Sequence, residues 1–509
     1  MLKLRIVVFY FFTLLFLSKN GFCKINTPLV GTFYVNDFGA VGDGKTINTI
    51  PIQKAIDACA EAGGGKVIFT TGNYLSGTIV MKSNVNLHLE QNAVLLASTN
   101  HKDFPLQPLP KYRSHKDQSG GFYAFIYAEG AVNISITGSG IIDGQGKQQK
   151  PRYENPIAGD IDGRPRNILF ISCKNIRVEG IHLRSSGIWN QHYLDCEDVI
   201  IDKISVYNHS NRNNDGIDID GCRRVVLSNS IFDSDDDCIT LKSTGAAACE
   251  DVVISNCVVS SFCNAIKAGT ESSGGFRNIS ISNCVIKPSV AKEQPFFNTP
   301  KIGITGLSLI IVDGGTLEGI SVDNLTIYGT MAPIYIRLGN RARKYIKGIP
   351  EPEVGKVQNI SISNVVAYNA GSWGSSITGI PGHPIKNVSL SNIQLFTEGG
   401  IKEDEYNKEV IEDEKGYPQP TIWENLPAYG LFVRHAEGVS INNLMLGTKK
   451  EDSRVPVMAE DVNNLSIVNS LLSVKNLPKY FMIGKSVKNY KIEKPVGWND
   501  NDKNILLIK

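Results

Sequence analysis

Charge of one sign, aromatic residues and long apolar runs are all scarce in this chain. Its 509 residues carry 52 Lys and Arg against 50 Asp and Glu, a net charge of +2. Near-neutrality supplies no broad field for nucleic acid or an anionic surface, although it is compatible with a local basic groove. The one long apolar run, Ile6 to Leu17, is too short to span a membrane comfortably. No CxxC pair and no His/Cys cluster has metal-ligand spacing, so no metal or organic cofactor is expected. Two-residue hairpin turns are also rare, which weighs against a sandwich or barrel.

The first residues have the layout of a signal peptide. Lys3 and Arg5 precede the apolar run, and Gly21 and Cys23 are small residues where a peptidase reads them, so residues 1–23 are expected to be removed. The protein is then exported, to the periplasm or the exterior. A lipid anchor on Cys23 is the rival, disfavoured by bulky Phe22 before it. Of the ten cysteines, an odd number remains. Cys173, Cys196, Cys222, Cys238, Cys257, Cys263 and Cys284 recur at intervals like those of the repeat described next, which suits half-apolar residues stacked in a core better than a disulfide framework.

The remainder, 24–509, is built on one repeat. Asn or Asp, then alternating aliphatic and other residues, and usually Asn again, recurs at Asn175-Ile176-Arg177-Val178, Asp198-Val199-Ile200-Ile201, Asp251 to Asn256 and Asn278 to Asn283. It returns at Asn359 to Asn364, Asn387 to Asn392 and Asn464 to Ile467. Steps of 23 to 27 residues between Asn175 and Asn278 suit one coil of a parallel β-helix, and longer steps imply loop insertions or a degenerate coil. The expected fold is all-β, a right-handed parallel β-helix in one domain, with Asn columns hydrogen-bonding along the stack. A cap at about 30–75 contains a short amphipathic helix near Ile52 to Cys59, which covers the open end. Loops are expected at Asn100 to Gly121 and Glu403 to Pro420, where they could wall a cleft.

Within the repeat, Asp215 precedes Ile217 and Ile219, while Asp236 and Asp237 precede Ile239 and Leu241. Stacking Ile217 over Ile239 brings Asp215 within one strand spacing of Asp237, roughly 4.8 Å. Like charges that close resist ionising together, so one proton is held to higher pH, as a catalytic acid beside a base requires. Asp218 and Asp220 alternate with the isoleucines and are expected to face solvent.

These motifs resemble the family 28 glycoside hydrolases, the polygalacturonase group. The resemblance is carried by Asn213-Asn214-Asp215 and by Asp236-Asp237, which begins 21 residues after Asp215, within the surroundings Trp189 to His192, Gly221-Cys222-Arg223 and Asp237-Cys238-Ile239. Phe38 to Gly44 and Ile141 to Gly146 extend it over most of the mature chain. It implies an inverting hydrolase of galacturonide-type linkages in pectic polysaccharide, with Asp236 the general acid and Asp215 and Asp237 activating water.

Two family motifs are altered. Asn264 stands where a histidine is usual, and Tyr335-Ile336-Arg337 replaces Arg-Ile-Lys. Carboxylate binding then rests on Arg337, helped by Lys242 or Lys267 on the same face, and the substrate could differ from plain polygalacturonate. Asn213 belongs to the substrate-binding set. His209 either supplies an imidazole or makes a surface hydrogen bond. Trp189 is a sugar platform or packs beneath the cleft. Glu271 accepts from sugar or partners Lys267, and Arg341 and Arg343 are loop charges or contacts to an acidic polymer. Two alternatives stay open: a lyase on the same solenoid, for which no basic residue is clearly placed, and a catalytically silent carbohydrate-binding β-helix.

Overall fold

The computed structural model describes residues 31–115, 122–151, 163–291, 302–402, 409–498 and 504–508. The expected leader with Cys23, and parts of both expected loops, 116–121 and 403–408, lie outside the described residues. The rest is a parallel β-helix, as its periodicity predicts. Connections of this length cannot make tight hairpins, so each coil returns in the same direction and lies on the previous one.

Register is visible in the repeat strands. Val178 pairs with Ile201, Ile201 with Leu227, Leu227 with Ile254 and Ile254 with Ile281. The column continues through Val322, Ile362, Leu390, Ile441 and Ile467. Every member is at most 2% exposed. Burial of each such side chain is worth roughly 1.5–3 kcal/mol, which one coil alone could not secure.

Turns between strands are fixed by asparagine. Asn229, Asn256, Asn283, Asn324, Asn364, Asn392 and Asn443 have φ between 53° and 57°, the left-handed region that Asn tolerates best among residues with a Cβ. Their amides join along the stack: Asn256 donates to Asn229 (3.1 Å), Asn324 to Asn283 (2.8 Å), Asn392 to Asn364 (2.9 Å) and Asn443 to Asn392 (2.9 Å). Partners 27 or 28 residues apart belong to plain coils, and those 41 or 51 apart to coils carrying an insertion. The long steps are therefore insertions.

Helix Thr49–Glu61 closes the N-terminal end, burying Ile52, Ala55, Ile56 and Cys59 against the first coils. Among the described residues no helix is long and apolar enough to cross a membrane. All nine described cysteines are free and buried. Several donate to the carbonyl two residues earlier, Cys173 to Ile171 and Cys257 to Ser255, each at 3.3 Å.

Asn392→Ala removes two ladder hydrogen bonds and places a β-carbon in the left-handed region without a compensating amide. We expect a loss of about 1–3 kcal/mol in chemical denaturation, with Asn392→Gly losing less; equal losses would discount the backbone contribution.

Candidate active site

The acids stand on one sheet of the solenoid, formed by strands Gln191–Leu194, Ile217–Asp220, Ile239–Ser243, Asn264–Ser272, Gly303–Ile311, Thr330–Leu338 and Ser375–Thr378. Ile217 lies over Ile239 and Ile219 over Leu241, as the alternation predicts. Gly216 N–H donates to Asp237 O at 3.0 Å, carrying this register back to Asp215 and Asp237. Outward residues form a column, His192, Asp218, Thr240, Lys267, Ser308, Tyr335 and Ser376.

Asp237 is the most firmly held of the three. Asn264 Nδ2 donates to its Oδ1 at 2.6 Å and Lys267 Nζ to its Oδ2 at 2.7 Å. Asn264 is oriented in turn by Thr305 Oγ1, which donates to Asn264 Oδ1 at 2.6 Å. Burial would raise the Asp237 carboxyl, but Lys267, Lys242 and these hydrogen bonds keep it below the usual carboxylate value. Asp236 is half-buried; it accepts from the Asp237 N–H at 2.8 Å and from Asn213 Nδ2 at 3.4 Å. Burial and the Asp237 charge push it up to about 6. Asp215 is 2% exposed, and burial, then Asp218 and Asp236, push it well above the ordinary range. The three carboxyls are thus biased differently, Asp237 towards the carboxylate and Asp236 and Asp215 towards the neutral acid, and they titrate as a coupled set.

Lys242 is the second cation. Its Nζ lies 3.8 Å from Asp215 Oδ2, 3.5 Å from Asp218 Oδ1 and 3.5 Å from Glu271 Oε2, and 4.5 Å from the centre of the Trp189 ring. Burial disfavours its charge, but Glu271, Asp218 and Asp215 outweigh this and hold the ammonium well above its ordinary pKa.

One expectation is corrected, that Asp218 and Asp220 face solvent, and the open alternatives for Trp189, Glu271 and His209 are narrowed. Asp218 and Asp220 are fully buried, because polar outward side chains on this sheet are roofed by the inserted segments and by Trp189. Asp220 accepts from Thr244 N–H (2.8 Å) and faces His192 at 3.0 Å, whereas Asp218 is raised by burial to about 7. Trp189, 3% exposed, packs against Lys242 and Arg166 and is not an open platform. Glu271 partners Lys242 and Arg343, not Lys267. His209 turns away from the acids to Asp233 at 2.9 Å and lies 3.8 Å from Asp235.

Arg337 does not reach the cleft. It is 1% exposed, its guanidinium donates to the carbonyls of Gly379, Glu412 and Asp413, and it stacks on Trp423. Tyr335 is likewise covered, packed with Ile310, Val312 and Trp423. The segment 409–427 that covers both also brings Tyr417 to the acids: its ring centre is 5.7 Å from Lys267 Nζ, and the residue is 52% exposed. Gln419 Nε2 anchors this segment on Cys263 Sγ at 3.1 Å. The first insertion is tied down by Tyr112, whose hydroxyl accepts from Ala247 N–H at 2.9 Å, and by Ser114, which bridges to Gly245. Tyr417 and Thr305 had no periodic signal to mark them.

Oxygens of Asp236 and Asp237 and the Cys263 sulfur lie within 4.8 Å of one another, a grouping that could hold a metal. Lys267 at 2.7 Å already neutralises Asp237 there, so the donor set does not favour a cation. A cavity of about 570 Å³ lined by Val410, Pro427, Arg434, His435, Met458 and Lys485 contains none of the three acids.

A parallel β-helix carrying three clustered aspartates, two biased towards the neutral acid and one towards the carboxylate, sets an acid beside a base. Residues 59–289 match the Glycosyl hydrolases family 28 model, the family that the motifs resemble. A probable polygalacturonase of Vitis vinifera is 32% identical over 215 residues, 41% of this chain and 43% of that protein. An exo-poly-alpha-D-galacturonosidase of Dickeya chrysanthemi is 27% identical over 264 residues, 44% of each. The chain thus spans less than half the length of these curated relatives. The crystal structure of an exopolygalacturonase from Thermotoga maritima superposes with a TM-score of 0.62 at 20% identity, over 82% of this chain and 91% of that one. This likeness shows the fold.

Asp218 supplies a stability test. Its folded pKa lies above the unfolded value, so the folded state holds the extra proton and stability is lost as pH rises towards 7. Asp218→Asn cannot ionise. Its melting temperature relative to the parent is expected to be at least ~2 °C more favourable at pH 8 than at pH 5, and a difference independent of pH would contradict the assignment.

Proposed function

We propose that the protein is an exported glycoside hydrolase that cleaves galacturonide-type linkages of pectic polysaccharide with inversion. The observation that carries this is that Asp236 and Asp237, adjacent in sequence, are held differently: Asp237 accepts from Asn264 at 2.6 Å and Lys267 at 2.7 Å, whereas half-buried Asp236 accepts from the Asp237 N–H and Asn213. Asp236, half-buried and protonated up to about 6, is suited to give its proton to the glycosidic oxygen as the bond breaks. Asp237, fixed as a carboxylate by Asn264 and Lys267, is suited to take a proton from attacking water. Asp215 has an Oδ1 without a hydrogen-bond partner among the described residues, and it helps to position that water. Inversion rests on kinship with the family, and export on the character of residues 1–23. The match to the family 28 model supports the substrate class.

A lyase is the second reading, because Lys242 and Lys267 stand among the acids. A lysine can remove a ring proton in a lyase only as the neutral amine. Both lysines are held as ammonium by their carboxylate neighbours, which favours hydrolysis.

The deciding measurement is a product profile on homogalacturonan, rhamnogalacturonan and aryl glycosides. New reducing ends whose first-formed anomer is inverted by NMR are expected; unsaturated, ultraviolet-absorbing ends would select the lyase. Asp236→Asn and Asp237→Asn should each lower turnover a hundredfold or more, and near-normal rates in both would reject the site. Since the acid must be protonated, kcat/KM should fall as pH rises through about 6, with the limb lost in Asp236→Asn.

A further inference from the structure

Positive charge reaches the surface on the segment that follows strand Thr330–Leu338. Fully buried Asp313 is held in a fork by Arg341, with Nε at 3.0 Å from Oδ1 and Nη2 at 2.7 Å from Oδ2. Arg343 adds its backbone N–H at 3.2 Å and its Nη2 at 3.1 Å to the same carboxylate. Glu271 is shared between Lys242 Nζ at 3.5 Å and Arg343 Nη2 at 3.3 Å. Three cations therefore face two carboxylates. Lys242 also touches Asp215 and Asp218, but burial biases both carboxyls towards their neutral forms, so the surplus charge persists in mildly acidic solution.

Burial decides where that surplus emerges. Side-chain exposure is 5% for Lys242, 14% for Arg341 and 37% for Arg343. Among the described residues, Arg343 is held through its Nε, Nη2 and backbone N–H, and not through Nη1. Its guanidinium is consequently oriented by two carboxylates on one side while part of it meets solvent. Arg337, the other candidate for gripping an acid group, spends its donors on backbone carbonyls.

The geometry points to Arg343 as a specificity-determining residue that binds a uronate carboxylate of the sugar chain at the edge of the cleft, linked to Asp215 through Glu271 and Lys242. This rests on the pectic reading above. Glu271 and Asp313 act as positioning residues, holding the fork so that little freedom is lost when the substrate carboxylate docks.

The test uses the full chain with Asp236→Asn to stop turnover. Calorimetry measures Kd for an oligogalacturonate and for the same oligomer with its carboxyls reduced to alcohols. The parent should prefer the acidic oligomer, and Arg343→Gln should reduce that preference about tenfold or more. Arg343→Lys, which keeps the charge without the fork, should show a smaller drop and serves if the Gln variant does not fold. A preference unchanged by Arg343→Gln, or equal weakening for both oligomers, overturns the assignment. A parent that binds the reduced oligomer as well as the acidic one also overturns it. A parent that binds neither refutes the pectic reading, and Arg343's role with it.

Discussion

Parallel strands in register stack residue on residue, and every outward group inherits its neighbours from that fact. Side chains of successive coils stand roughly 4.8 Å apart, too close for two carboxylates to ionise independently. The same spacing brings a cation from the next coil within reach. Lys267 meets Asp237 in this way, as Lys242 meets Asp215 and Asp218. The solenoid thus creates a repulsion and supplies the means to divide it unequally.

That unequal division gives the three aspartates separate characters despite their common chemistry. Asp237 receives an amide and an ammonium, Asp236 keeps one side towards the cleft, and Asp215 lies deepest with Asp218 behind it. Asn264 fits this scheme. It cannot titrate, and Thr305 fixes its amide, so pH dependence at the site is left to the carboxyl groups. The inserted segments then set the dielectric. By roofing the sheet they turn outward positions into interior ones, which strengthens every charge contact beneath them.

Periodicity made the coils, the asparagine columns, the capping helix and the pairing of Ile217 with Ile239 legible in the sequence. It also set Asp215 beside Asp237, while the family resemblance added Asp236 and Asn264 and, with them, Lys242 and Lys267 on the same face. Alternation cannot say what lies over that face, which is why Asp218 and Asp220 were expected in solvent and Trp189 was left between two roles. Arg337 occupies the motif position expected for a cation, yet segment 409–427 takes up its donors. Tyr417 and Arg343 arrive from insertions, where residue spacing carries no register, so only coordinates reveal that they approach the acids.

The stacked cysteines extend the same logic to redox chemistry. All nine described thiols are unpaired and buried, and several are tied to their own coil by a bond to a nearby carbonyl. An oxidant in the surrounding medium meets none of the described thiols at the surface of the intact solenoid, while an opened coil offers its sulfur at once. Mispairing is thereby coupled to loss of fold, and the solenoid's integrity is its own protection against scrambled crosslinks.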